Sequence, residues 1–75
     1  MSVSDILIHI DDDLGEQERK SLEESMREIT GVVAPRFNSG KEYLLLVAFN
    51  PEVTTTAALL ARVESHGYNA QLVGA

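Results

Sequence analysis

The sequence predicts a small α+β domain with elements in the order βαββαβ: a four-stranded antiparallel sheet with two helices on one face. Three observations predict it. Residues alternate from Asp5 to Ile10, two amphipathic stripes at helical spacing fall at Leu22, Met26, Ile29 and at Thr56, Leu59, Leu60, Val63, and a long apolar run from Glu42 to Phe49 is bounded by turn residues.

In the first strand Ile6, Ile8 and Ile10 share one face, and Leu7 and His9 share the other. Asp11, Asp12 and Asp13 follow. Asp13 with Glu16 three residues later fits a capping-box start, and acidic groups there favour the positive end of the helix dipole, so the first helix is expected to begin near Leu14. It is expected to end at Thr30-Gly31, where glycine can take the left-handed conformation that stops a helix. Val32 to Asn38 reads as a second strand. Pro35 cannot donate to a ladder, which places this strand at a sheet edge.

Asn38-Ser39-Gly40-Lys41 supplies a hairpin turn into the third strand, Glu42 to Phe49. Tyr43, Leu45, Val47 and Phe49 are expected to face the helices, with Leu44, Leu46 and Ala48 on the opposite side. Asn50-Pro51 breaks the run, and threonines 54 to 56 offer caps for the second helix. His66-Gly67 closes that helix, and Tyr68 to Val73 forms a short last strand. Right-handed crossovers put strands one and three in the middle of the sheet, giving the order 4-1-3-2 of a ferredoxin-like sandwich. Strands one and four are then antiparallel neighbours, so the aspartate loop is expected near His66, Gly67 and Tyr68.

Seventy-five residues make one domain, residues 1–75, and the hydrophobic fraction of 44% is that of a globular chain. The net charge of -6 repels phosphate backbones and anionic lipid, so nucleic acid and membrane surfaces are excluded as expected partners. No cysteine is present, which removes disulfides, thiolate catalysis and soft-metal thiolate sites. The start MSVSDILIHI has neither a basic segment nor an apolar run of secretory type, so a cytoplasmic location is expected.

Several segments together resemble the heavy-metal-associated domain family of metallochaperones and transporter metal-binding modules. They are the Leu22, Met26, Ile29 stripe with its Gly31-Val32 exit, Phe49-Asn50-Pro51, and Val63-Glu64-Ser65-His66-Gly67-Tyr68-Asn69-Ala70. The resemblance implies the same βαββαβ fold and an ancestry in metal handling. That family binds soft metal through Met-x-Cys-x-x-Cys in its first loop. Counting back from Gly31 puts Gly15 and Glu18 where the two cysteines would stand, so no thiolate ligand carries over.

Two chemistries remain open for the loop. Asp11, Asp12 and Asp13 with His66 could hold a hard or borderline divalent ion, or the aspartates could cap a solvated helix start while His66 meets the negative end of helix two. No nucleophile stands in a catalytic context and no glycine-rich phosphate loop occurs, so no catalytic residue and no enzymatic activity are expected. The uncovered side of the sheet would gather Leu7, His9, Leu44, Leu46, Ala48 and Val73. A leucine left in water forgoes about 1.5 to 3 kcal/mol, so this face is the expected contact surface. The sequence therefore predicts a non-enzymatic interaction module without a resident cofactor, a homodimer or a docking domain for a protein partner, with divalent-metal handling as the alternative.

Overall fold

The computed structural model of the chain describes residues 2–73. Its elements are β1 (Ser4–Ile10), α1 (Glu16–Arg27), β2 (Val32–Asn38), β3 (Lys41–Phe49), α2 (Thr56–Ser65) and β4 (Ala70–Val73). The sheet order β2-β3-β1-β4 is the expected one read from the other edge, and every neighbouring pair is antiparallel.

One core lies between the sheet and the helices. Ile8, Leu22, Met26, Leu45, Val47, Leu59 and Val63 are completely buried, with Ile6, Ile10, Leu14 and Phe49 nearly so. The isoleucine face of β1, the alternate positions of β3 and the stripes of both helices thus meet as their periodicities require. In α2 the Thr55 hydroxyl accepts from the Ala58 amide at 3.1 Å, which satisfies a helix-start donor. Gly31 adopts a φ of 101° and carries the chain past Val53 and Thr54 so closely that a Cβ would stand 3.0 Å from Val53. Its carbonyl accepts from the Asn50 amide at 2.7 Å, which ties the exit of α1 to the turn after β3.

β2 is the edge strand that Pro35 demands, and two positions of its outer margin are closed. Pro35 has no amide hydrogen, and the next amide on the same side, Phe37, donates to Glu23 Oε2 of α1 at 2.9 Å. Neither position offers an outward donor to an added strand.

Several details depart from the sequence expectation: α1 ends at Arg27, a turn before Thr30-Gly31, and β4 begins at Ala70 rather than at Tyr68. α1 starts at Glu16, not at Leu14, because Leu14 turns into the core and Gly15, in extended conformation, becomes the N-cap. The cap pairing is accordingly Gly15 with Glu18 rather than Asp13 with Glu16: the Gly15 amide donates to Glu18 Oε1 at 2.8 Å. Tyr43 does not face the helices but is 47% exposed. The pairing of β2 with β3 shifts between Phe37 and Asn38, so the alternation of β3 is lost at its start. Glu42 there reaches Arg19 on α1 at 3.1 Å, and the Tyr43 ring lies against His9, centroids 5.1 Å apart.

Candidate functional site

Two regions deserve the name of site on chemical grounds: the acidic corner where β1 enters α1, and the uncovered sheet face. At the corner, β1 and β4 run side by side until the Asp11 amide donates to the Asn69 carbonyl at 2.8 Å. Asp12 Oδ2 then accepts from the Asn69 amide at 2.7 Å. Asp11 Oδ1 lies 3.0 Å from His9 Nδ1 and accepts from Gln71 Nε2 at 3.3 Å. Asp13 is exposed. The first two aspartates are therefore engaged in joining the loop to β4 and in orienting a histidine of the sheet.

Glu18 occupies the same corner. Besides accepting from Gly15, it acts on Tyr68, whose phenol is held above its ordinary value first by burial, then by the negative charges of Glu18 and Asp12, and by hydrogen bonding to Glu18. Arg19 is the corner's cation: Nη1 donates to the Leu14 carbonyl at 2.7 Å while Nη2 pairs with Glu42. It shares an open groove of about 240 Å³ with Asp12, Asp13, Leu14, Gly40, Glu42 and Tyr43. A guanidinium in that groove already answers part of the acidic charge that a metal ion would meet.

His66 turns away from the aspartates. Its Nε2 shares a hydrogen bond of 2.9 Å with Ser25 Oγ of α1, and its ring stacks near Tyr68 at a centroid distance of 6.0 Å. Arg62 Nη1 donates to the same serine, to its carbonyl at 2.8 Å and its hydroxyl at 3.0 Å. Ser25, Arg62 and His66 thus form a polar clasp between the two helices. The loop does approach Tyr68 and Asn69 as the topology requires, but Asp11, Asp12, Asp13 and His66 are not drawn into one ligand set. Among the described residues no group of three or more His, Cys, Asp or Glu side chains is placed to hold a metal ion.

The uncovered face follows from the ladder registers. Arg36, Leu46, Leu7 and Val73 are successive partners across all four strands and so stand in one transverse row. The row on one side holds Ala34, Ala48 and Asp5; the row on the other holds Leu44, His9 and Gln71. Leu7, Leu44, Leu46 and Ala48 are half-buried by one another and by their neighbours, and Val73 is 39% exposed. The six residues expected on this face, Leu7, His9, Leu44, Leu46, Ala48 and Val73, are all on it. An open groove of about 430 Å³ at its β2 margin is lined by Arg36, Phe37, Asn38, Ser39 and Leu46.

Solved structures of the same architecture settle the fold. Oxidized MerP from Ralstonia metallidurans CH34 superposes with a TM-score of 0.84 at 11% identity, over 96% of this chain and 99% of that one. The CopZ metallochaperone gives 0.82 at 15% identity, over 91% of this chain and 100% of that one. The chain has the heavy-metal-associated fold. The N-terminal domain of a potential copper-translocating P-type ATPase from Bacillus subtilis, in its Cu(I)-loaded state, has the heavy-metal-associated fold too and matches with a TM-score of 0.85 at 21% identity. That match covers 95% of this chain and 88% of that one. No protein-family model and no curated protein sequence matches the chain. CopZ is a metallochaperone and the Bacillus subtilis domain belongs to a potential copper-translocating ATPase, whereas the heavy-metal-associated fold here contains no cysteine at any position.

Sequence reasoning missed the polar partners of the corner: Arg19, Asn69 and Gln71, and the Ser25–Arg62 pair between the helices. Only Gly15-x-x-Glu18 carried a local signal, since a cap residue followed three positions later by glutamate is a helix-start pattern.

Proposed function

We propose that the chain is a non-enzymatic interaction module with the heavy-metal-associated fold, lacking a thiolate metal site and acting through its apolar sheet face. The observation that carries the proposal is the row Leu46, Leu7, Val73, with Leu44 and Ala48 beside it and Arg36 at its β2 end: an apolar strip on the side of the sheet that neither helix covers. At the first loop, support comes from what stands at the two positions where the resemblance places cysteines. Gly15 and Glu18 bond to each other, so the glutamate serves the helix start. The copper and metallochaperone descriptions of the neighbours enter here as the fold's usual occupation, a transfer of soft metal for which this chain has no thiolate donor.

The test compares the native chain with Leu46→Glu, using the fluorescence of an apolar dye together with light scattering at micromolar concentration. The native face is expected to enhance the dye, and the variant to lose most of that enhancement while keeping its circular dichroism spectrum. Equal dye response and equal mass in the two proteins would count against an apolar contact surface.

A further inference from the structure

We propose that β4 is a pairing edge, where a second copy of this chain adds its own β4 antiparallel about a two-fold axis beside Gln71, so that the two sheets become one. The inference goes beyond the proposed function, because it uses the margin of the sheet and leaves the apolar face of each copy open. The register shows which backbone groups are free. β4 pairs with β1 as Val73 with Leu7 and Gln71 with His9, and the next position in the same phase is joined by the Asp11 amide donating to the Asn69 carbonyl at 2.8 Å. Hydrogen-bonded and open pairs alternate along an antiparallel ladder, so Asn69, Gln71 and Val73 aim their backbone groups at β1, and Ala70 and Leu72 aim theirs outward. Among the described residues no strand lies beyond β4. Two amides and two carbonyls are therefore left for an added strand.

Three features fit a second copy to this edge. First, an axis beside Gln71 sets Ala70 of each copy opposite Leu72 of the other. Each such pair exchanges two hydrogen bonds, so every outward group is used, and the helices of both copies stay on one side of the joined sheet. Second, Ala70-Gln71-Leu72-Val73 has no proline and no charge to blunt it, whereas Pro35 and the Glu23–Phe37 bond close two positions of the β2 margin. Third, eight of the twelve acidic residues lie between Asp11 and Glu28. α1 packs over β2 and α2 over β4, so pairing through β4 keeps the two α1 helices on the far sides of the dimer. α2 carries only Arg62, turned to Ser25 of α1, and Glu64, with Leu60 half-buried and Ala57 exposed. The Asp11–Asp13 loops begin level with Asn69, which sets them about 13 Å or more apart along the strands, beyond a Debye length of ~8 Å. Two acidic chains thus meet at a margin with little charge.

One short strand from each copy makes a small interface, so a reversible dimer with a Kd of about 0.1 mM is expected.

Solvent exchange of single amides, followed by NMR on the full chain at about 50 µM and about 2 mM, tests the pairing; by mass action the Ala70 and Leu72 amides should slow about fourfold at the higher concentration. Those of Gln71 and Val73, already bonded to β1, should change little. Gln71→Lys sets like charges across the axis and Ala70→Pro removes two of the inter-strand bonds, so each is expected to weaken the dimer about tenfold in sedimentation equilibrium. An equimolar mixture of Gln71→Lys and Gln71→Glu is expected to pair more tightly than either alone. Thermal melts and unchanged β1 amide protection confirm that the variants fold. A native chain that stays monomeric at 2 mM, or Ala70 and Leu72 amides that ignore concentration, overturns the pairing. So does a dimer that either variant leaves as strong as before, or a mixture that pairs no better than its components. The failure is separable from that of the contact face, since dye enhancement that depends on Leu46 is expected to be unchanged in Ala70→Pro.

Discussion

Glu18→Ala is the change that most directly tests what the first loop has become. The Glu18 carboxylate accepts from the Gly15 amide at 2.8 Å in the N-cap position of α1 and lies in the first turn of that helix. Losing an N-terminal cap bond costs about 1 kcal/mol, and losing a carboxylate from the positive helix end costs about 0.3 to 1 kcal/mol more. Alanine's higher helix propensity returns a few tenths of a kcal/mol. The net destabilisation is about 1 to 1.5 kcal/mol, and at about 4–8 °C per kcal/mol for a domain of this size the melting midpoint should fall by roughly 5–10 °C. Glu18→Gln keeps an acceptor for Gly15 and gives up the charge, so it should lose about half as much. Thermal denaturation followed by circular dichroism reads both. A midpoint within about 1 °C of the native value for Glu18→Ala, or a glutamine variant as damaged as the alanine one, would refute the idea that this side chain caps the helix.

Two further outcomes follow from the same corner. The Tyr68 phenol is held above its ordinary value by burial and by Glu18 and Asp12, so its neutral form is favoured in the folded chain. That stabilisation is fully present below the unfolded value near 10 and is lost as pH rises through the higher folded value. Stability should therefore decline above about pH 10, and ultraviolet titration should show the raised phenol moving back toward its ordinary value in Glu18→Gln. Calorimetric titration with zinc, manganese, cobalt and nickel should give no stoichiometric heat, because Asp12 already accepts from Asn69 and His66 is bound to Ser25. Tight one-to-one binding that Asp12→Ala and His66→Ala both abolish would restore the aspartate–histidine metal site.

Most of the fold was legible because its signals are periodic and mutually consistent. Ile6, Ile8 and Ile10 fix the buried face of β1, Leu22 and Met26 that of α1, and Pro35 fixes an edge, so the strand order follows from short right-handed connections. The failures are local and share a cause. Tyr43 was assigned by strict alternation, which breaks where a strand bulges, and the register shift after Phe37 has no marker in the sequence. The first turn of α1 was misplaced by two residues because Asp13-x-x-Glu16 and Gly15-x-x-Glu18 offer the same spacing. Burial of Leu14 decided between them, and burial is a tertiary property. His66 was placed near the aspartates by topology, but its direction was set by Ser25, a residue 41 positions away. Contacts between polar side chains so distant in sequence leave no periodic trace.

The corner also shows why the heavy-metal-associated fold does not by itself bring a metal loop with it. A loop that captures and releases an ion needs donors that are free at the strand-to-helix junction and exchange partners when the ion arrives. Here the donors serve the fold itself. Asp12 joins the loop to β4 through the Asn69 amide, Asp11 bridges His9 and Gln71, Glu18 closes the helix start, and Glu42 is paired with Arg19. Binding an ion would require breaking several of these bonds, each contributing about 1 kcal/mol to a domain whose total stability is only about 5–15 kcal/mol. The sheet face carries no such commitments: Leu7, Leu44 and Leu46 gain by being covered further and give up few hydrogen bonds when they are. The balance of costs between these two surfaces, more than the missing sulfur alone, supports the proposed contact role over coordination.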